Sequence, residues 1–159
     1  MGKAAEELGV VSGLVRAAFL VNSVYAESAR EYGLTPQQGQ LLCVLMAQPY
    51  GMSELGGVLR LAKSSLTELV DRTAQRGLVK RESDPRDRRV VRVALTERGA
   101  ELADVFYAET CRRVEELSAG LPEGDRETLG ALLGRVVSDN RVPAVFPERD
   151  EAPVAARDN

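Results

Sequence analysis

"VKRESDPRDRRVVRVALTERG", running from Val79 to Gly99, decides how this chain folds. Val79-Lys80-Arg81-Glu82 and Val91-Arg92-Val93-Ala94-Leu95 approximate the alternation of strands with one apolar and one charged face. Asp84-Pro85-Arg86-Asp87 between them is turn chemistry: proline presets its own φ, and aspartate side chains bond nearby backbone. The stretch therefore reads as a β-hairpin with a cationic tip. What that tip meets depends on its neighbours.

The whole chain is acidic, with a net charge of −3 over 159 residues, yet the charge is unevenly placed. From Arg60 to Arg92 ten basic residues stand against five acidic ones, a local net of +5, so the remainder carries −8. A basic block in an acidic protein is the footprint of a polyanion site, or, in the bland reading, a solvated charged face. The length suits one domain that buries a core without staples, and 44% apolar content argues against wholesale disorder. Histidine is absent and the two cysteines, Cys43 and Cys111, are far apart, so neither a disulfide framework nor a metal site is expected, and no cofactor is called for. No uninterrupted run approaches the ~18 apolar residues of a membrane span. The start, with early acids and Arg16 inside its apolar part, does not fit a secretion signal. The expectation is a reduced, cytoplasmic protein with no membrane partner.

Outward from the hairpin, the pattern is helical. Residues from about 6 to 31 repeat Leu14, Ala18, Val21, Tyr25 and Ala29 at helical spacing, and Val11, Val15 and Phe19 widen that face. So broad an apolar surface is hard to hide in one small domain, and it favours pairing of two copies over a purely intramolecular core. Thr35, Pro36 and Gln38 spell a capping box for a second helix, with Leu41, Leu42, Leu45 and Met46 inward and Pro49 with Gly51 at its end. "MSELGGVLRLAKSSLTELVDRTAQRGLV" then gives two short helices separated only by Arg60-Leu61-Ala62, a helix-turn-helix. Leu55, Val58 and Leu59 face inward on the first, and Leu66, Leu69 and Val70 on the second. Gly56 and Gly57 weaken the first of these, a feature that close approach to the crossing helix would explain. Thr96 caps a long helix from about Glu97 to Ser118, and Leu121-Pro122 opens a last one with Leu129, Leu132, Leu133, Val136 and Val137 as its stripe. Residues 141–159 read as an extension anchored by Val145 and Phe146.

A helix-turn-helix followed directly by a hairpin is a winged helix. Its second helix fits the major groove, and an arginine at the wing tip can enter a narrow minor groove, where the potential is most negative. "ELGGVLRLAKSSLTELVDRTAQRGLVKRESDPRDRRVVRVALTERG" also resembles the core of MarR-type transcriptional regulators. "RGLVKR", "DPRDRR" and "LTERG" carry that resemblance in order and spacing, with the Glu-Leu and Ser-Ser-Leu-Thr openings and "VDR" before them. It implies a mainly α fold with a small β-hairpin: a winged helix-turn-helix over about residues 51–95, flanked by dimerisation helices over about 6–31 and 97–140, all in one domain of residues 1–140. It further implies a homodimer on a pseudo-palindromic double-stranded DNA operator, acting as a repressor that a small aromatic or anionic effector releases.

On the DNA side, Lys63, Ser64, Ser65, Thr67, Glu68 and Arg72 of the recognition helix are the candidate contacts, although serines also suit an ordinary first turn. In the wing the candidates are Arg86, Asp87, Arg88 and Arg89, with Asp87 at the family position that braces the turn through an arginine. Arg16 is the candidate partner for an effector's carboxylate, and Tyr25, Tyr32 and Met46 are candidate lining residues. Three positions depart from the family pattern: Ala62 replaces a capping residue, Glu68 a common basic one and Thr73 a usual leucine. Glu68 and Ala62 keep open a winged-helix protein-interaction module that does not read DNA. A redox sensor built on Cys43 or Cys111 is a further alternative, although neither lies near the start of the first helix. An enzyme is not expected, since no nucleophile–base pair or phosphate-cradling glycine loop is evident.

Overall fold

The computed structural model describes residues 7–143, 145 and 146. Its elements run α1 (Val10–Glu31), α2 (Pro36–Leu45), β1 (Tyr50–Gly51), α3 (Met52–Leu59), α4 (Lys63–Gln75), β2 (Val79–Ser83), β3 (Val91–Leu95), α5 (Glu97–Leu117) and α6 (Glu123–Asp139). The helix-turn-helix and the hairpin stand where the sequence puts them. Thr35 caps α2 as expected: Gln38 donates its backbone N–H to the threonine hydroxyl, and the Gln38 side chain accepts from the Thr35 N–H. Helix α1 opens at Val10, four residues after its expected start, and residue 6 lies outside the described residues.

The wing is not a lone hairpin. The sequence reads Pro49 with Gly51 only as the end of α2, but Tyr50 and Gly51 form a third strand opposite Val93 and Arg92, giving an antiparallel sheet in the order β1-β3-β2. A two-residue strand has no periodicity to detect; it exists because β3 offers a free edge beside it. Arg81 faces Val93 and Glu82 faces Arg92 across the hairpin. Alternation fades outward: Val93 and Ala94 are both buried at the sheet base, while Val90 and Val91 near the tip are exposed.

One core joins α2, α3, α4, the sheet and the middle of α5, with Leu41, Leu42, Leu55, Leu66, Val70 and Phe106 fully buried. Thr73, where the family pattern favours leucine, is also fully buried, and its hydroxyl donates to the Leu69 carbonyl at 2.7 Å, so the substitution leaves no orphaned group. Helix α1 is held to α5 through a hydrogen bond between the hydroxyls of Ser28 and Thr110 at 2.8 Å, both fully buried. Arg113 adds an exposed bracket from α5 to Glu31, and it also pairs with Glu109.

Apolar faces divide sharply along these helices. On α5 the stripe Gly99, Ala103, Phe106 and Thr110 is buried, while Leu117 is exposed. On α6 the apolar stripe is uncovered throughout, and no residue of that helix is buried. The first half of α1 is likewise bare, with Val10 78% and Phe19 72% exposed. Among the described residues, no intramolecular core covers these surfaces. By length and composition α1 could cross a membrane. Its second half, however, packs Val24, Ser28 and Ala29 into the protein, and Arg16 interrupts the first; the exposed run from Val10 to Leu20 falls well short of the ~20 residues a span requires.

The glycines of α3 and α5 differ in what they permit. A Cβ on Gly56 would meet the Leu61 carbonyl at 3.3 Å, whereas one on Gly57 would meet nothing within 4 Å, so close approach explains only the first. At Gly99 a Cβ would fall 1.8 Å from the Leu78 carbonyl oxygen. Gly57→Ala is expected to stabilise the fold by about 0.5–1 kcal/mol through helix propensity. Gly99→Ala is expected to destabilise it by about 3 kcal/mol through overpacking. Urea unfolding midpoints check both, and an unchanged midpoint for Gly99→Ala would contradict the tight junction.

Candidate nucleic-acid interface

Helix α4 owes its placement to Leu66, Leu69 and Val70, which anchor one side in the core and turn the other outward. The outward side carries Lys63, Ser64, Thr67, Glu68, Asp71 and Arg72 along one open groove. Ser65 lies beside it, exposed, facing a shallow depression shared with Thr35 and Leu61. Ala62 occupies the N-cap in an extended conformation and supplies no side-chain bond. The first amides of α4 thus have no side-chain acceptor, and the positive end of the helix dipole faces outward.

Ion pairs redistribute the positive charge counted in the sequence. Arg72 pairs with Glu68 one turn before it. Arg81 on β2 pairs with Asp71 on α4 at 2.6 Å and so ties the wing to the recognition helix. Arg92 pairs with Glu82 across the hairpin at 2.7 Å. Arg76 donates to the Gln38 side chain at 2.9 Å, linking the end of α4 to the start of α2. Among the described residues, the block's cations Arg60, Lys63, Arg76, Arg86 and Arg88 form no ion pair. Sequence reasoning found Gln38 as a capping residue but missed its bond to Arg76, and it missed the roles of Asp71 and Arg81, because each partner lies on another element and no short-range pattern joins them.

The wing tip is built by its aspartates. Asp84 accepts from the Arg86 N–H at 2.8 Å, and its own N–H donates to the Val90 carbonyl at 2.8 Å. Asp87 receives the Arg89 backbone N–H and two guanidinium N–H groups, each at 3.1 Å. Arg89 keeps 91% of its side chain exposed while braced in this way. Its guanidinium and N–H hold the Asp87 carboxyl below the usual carboxylate range. Arg86, Arg88 and Arg89 are all exposed around the turn.

A second concavity, of about 440 Å³, lies between α1, α2 and α3. Tyr25, Cys43, Val58 and Arg60 line it, and Val142, Pro143, Val145 and Phe146 close one side. Of the residues expected to meet a ligand, Tyr25 borders this cavity; Tyr32 and Met46 pack against the core, and Arg16 lies on the exposed half of α1. Burial and the neighbouring Cys43 raise the Tyr25 phenol strongly, keeping it a neutral hydrogen-bonding group. Phe146 meets Tyr107 at 4.4 Å and Tyr25 at 5.6 Å between ring centres, so the expected anchor is in place; residues 147–159 lie outside the described residues. Cys43 is 1% exposed and both cysteines are free.

Comparison with known proteins agrees with this geometry. A sequence model described as "MarR family" matches residues 32–90. The transcriptional repressor NicR of Pseudomonas putida is 32% identical over 133 residues, covering 82% of this chain and 84% of its own. Wild-type MarR from E. coli, solved in its apo form, superposes with a TM-score of 0.72 at 25% identity over 83% of this chain and 99% of that one. CouR from Rhodococcus jostii RHA1, solved bound to p-coumaroyl-CoA, superposes with a TM-score of 0.67 at 26% identity over 77% of this chain and 87% of that one.

The Asp87 brace yields a pH prediction. Its carboxyl is lowered in the folded protein, so the brace is complete above the ordinary carboxylate range and is lost as pH falls through the lowered value. In an NMR titration of the Asp87 carboxyl carbon, Arg89→Gln is expected to move the midpoint upward. An unmoved midpoint would remove the brace.

Proposed function

This chain belongs to the MarR family of winged helix-turn-helix transcriptional regulators, and from there we propose that it is a cytoplasmic, homodimeric repressor released from a pseudo-palindromic operator by a small ligand. The observation that carries the reading is the division of charge. Arg72, Arg76, Arg81, Arg89 and Arg92 are engaged within the protein and Arg60 borders the cavity, while Lys63 at the start of α4 and Arg86 and Arg88 at the wing tip are left for phosphate or a groove floor. The uncapped start of α4 supports it, because a phosphate is the acceptor those amides otherwise lack. Lys63, Ser64, Ser65, Thr67, Glu68 and Arg72 then line the major groove, with Asp87 holding Arg89 at the tip.

Pairing of two copies is supported by the bare apolar faces of α1 and α6, which flank the winged helix of residues 51–95. Repression draws on the likeness to NicR, and ligand release on the likeness to CouR. Within the chain, Arg60 supports a release route: it borders the cavity and also sits in the turn that launches α4, with a left-handed φ of 54°. A ligand displacing Arg60 would change the entry of the recognition helix. Tyr25, neutral and half-buried, suits a ligand with a phenol or carboxylate acceptor.

Selection of bound sequences from a random duplex pool tests the reading. Two symmetry-related half-sites with centres about 10 bp apart, or a multiple of that, are expected. Enrichment of nothing, or a single-copy mass in sedimentation at micromolar protein, would overturn it.

A further inference from the structure

We propose that Glu68 is a specificity-determining residue: it holds Arg72 off phosphate until a base pair with an exposed amino group takes its place, an inference that rests on the DNA-reading function above. The open groove face of α4 carries two cations, Lys63 and Arg72, and two carboxylates, Glu68 and Asp71, so the surface meant for the major groove has no net charge. Asp71 is engaged by Arg81 from the wing, which leaves Glu68 and Arg72 closed on each other. Both are mostly exposed, at 62% and 70%, so neither the core nor a crossing helix fixes them there.

Charge counting gives this pair a role on DNA. Sequence-independent affinity scales with the number of phosphates a protein neutralises. Arg72 bonded to Glu68 neutralises none, and an arginine that left would expose a bare carboxylate to the phosphates. A carboxylate can only accept, and the cytosine N4 amino group is a major-groove donor that glutamate reads. At a suitably placed C·G pair Glu68 gains that donor, and Arg72 swings to a phosphate in the same exchange. Elsewhere the two remain paired and the helix face stays neutral. Exposed pairs of this kind are weak, so a single base contact suffices to tip the exchange.

The test compares wild type, Glu68→Gln and Glu68→Gln/Arg72→Gln on the duplex selected by the wild-type protein and on mixed-sequence duplex. Glu68→Gln is expected to bind mixed-sequence duplex about tenfold more tightly at low salt, with the slope of log affinity against log salt steeper by about one phosphate. Its preference for the selected duplex falls correspondingly, and repeated selection with it replaces cytosine by adenine at one position of each half-site, as glutamine prefers. Removing Arg72 as well cancels the gain. Unchanged affinity of Glu68→Gln for mixed-sequence duplex, or a gain that survives the loss of Arg72, overturns this inference alone. Absence of any duplex binding by wild type removes the DNA-reading function and this inference with it.

Discussion

A single carbonyl organises the molecule. The Leu78 oxygen accepts the Thr96 N–H at 3.1 Å, and Gly99 passes so close to it that no side chain fits. Thr96 in turn donates its hydroxyl to the Gly77 carbonyl at 2.6 Å and accepts the Gly99 N–H at 3.0 Å. Leu78 itself donates to the Thr73 carbonyl at 3.2 Å. The end of the recognition helix, the base of both wing strands and the start of α5 are thus bonded within one short region. Each group is both spaced and satisfied by the others, so the same few bonds join α4, the wing and α5.

That junction explains how the sequence could be read so far. Thr96 is legible as a cap, and "LTERG" as part of a recurring motif, because their chemistry is local. Thr35, Pro36 and Gln38 belong to the same class: a capping box is decided within four residues. Strand β1 is the opposite case, since Tyr50 and Gly51 become a strand only through an edge supplied forty residues later by Val93 and Arg92. Covering of α6 was not legible either. Its stripe has the right spacing for burial, but spacing says that a face must be covered and is silent on what covers it; none of the described residues does.

Electrostatics shows the same boundary. A net of +5 between Arg60 and Arg92 is a fact of composition, yet what a polyanion meets is set by pairing across elements. Asp71 with Arg81, and Glu82 with Arg92, lie ten residues apart in sequence and become neighbours through the hairpin and its packing on α4. The candidate wing residues were more visible because Asp87 and Arg89 are two positions apart and brace one turn. Counting charges finds the basic region and overstates the charge it leaves unpaired.

The bonding at the Leu78 junction constrains how a ligand could act in the proposed dimer. Loosening the wing relative to α4 would require breaking several short hydrogen bonds and the Asp71–Arg81 pair together. By contrast, α3 and α4 meet in a three-residue turn whose Arg60 already adopts a left-handed conformation that favours glycine, and that turn borders the cavity. The opposite wall of the cavity is Tyr25 on α1, a helix tied to α5 by Ser28 and Thr110. On the proposed reading, a ligand there would push between a helix whose exposed face would meet the second copy and the turn that feeds α4. The economical response would be a change of angle between the winged helix and the long helices, which in the proposed dimer would alter the spacing of two recognition helices while leaving each one intact.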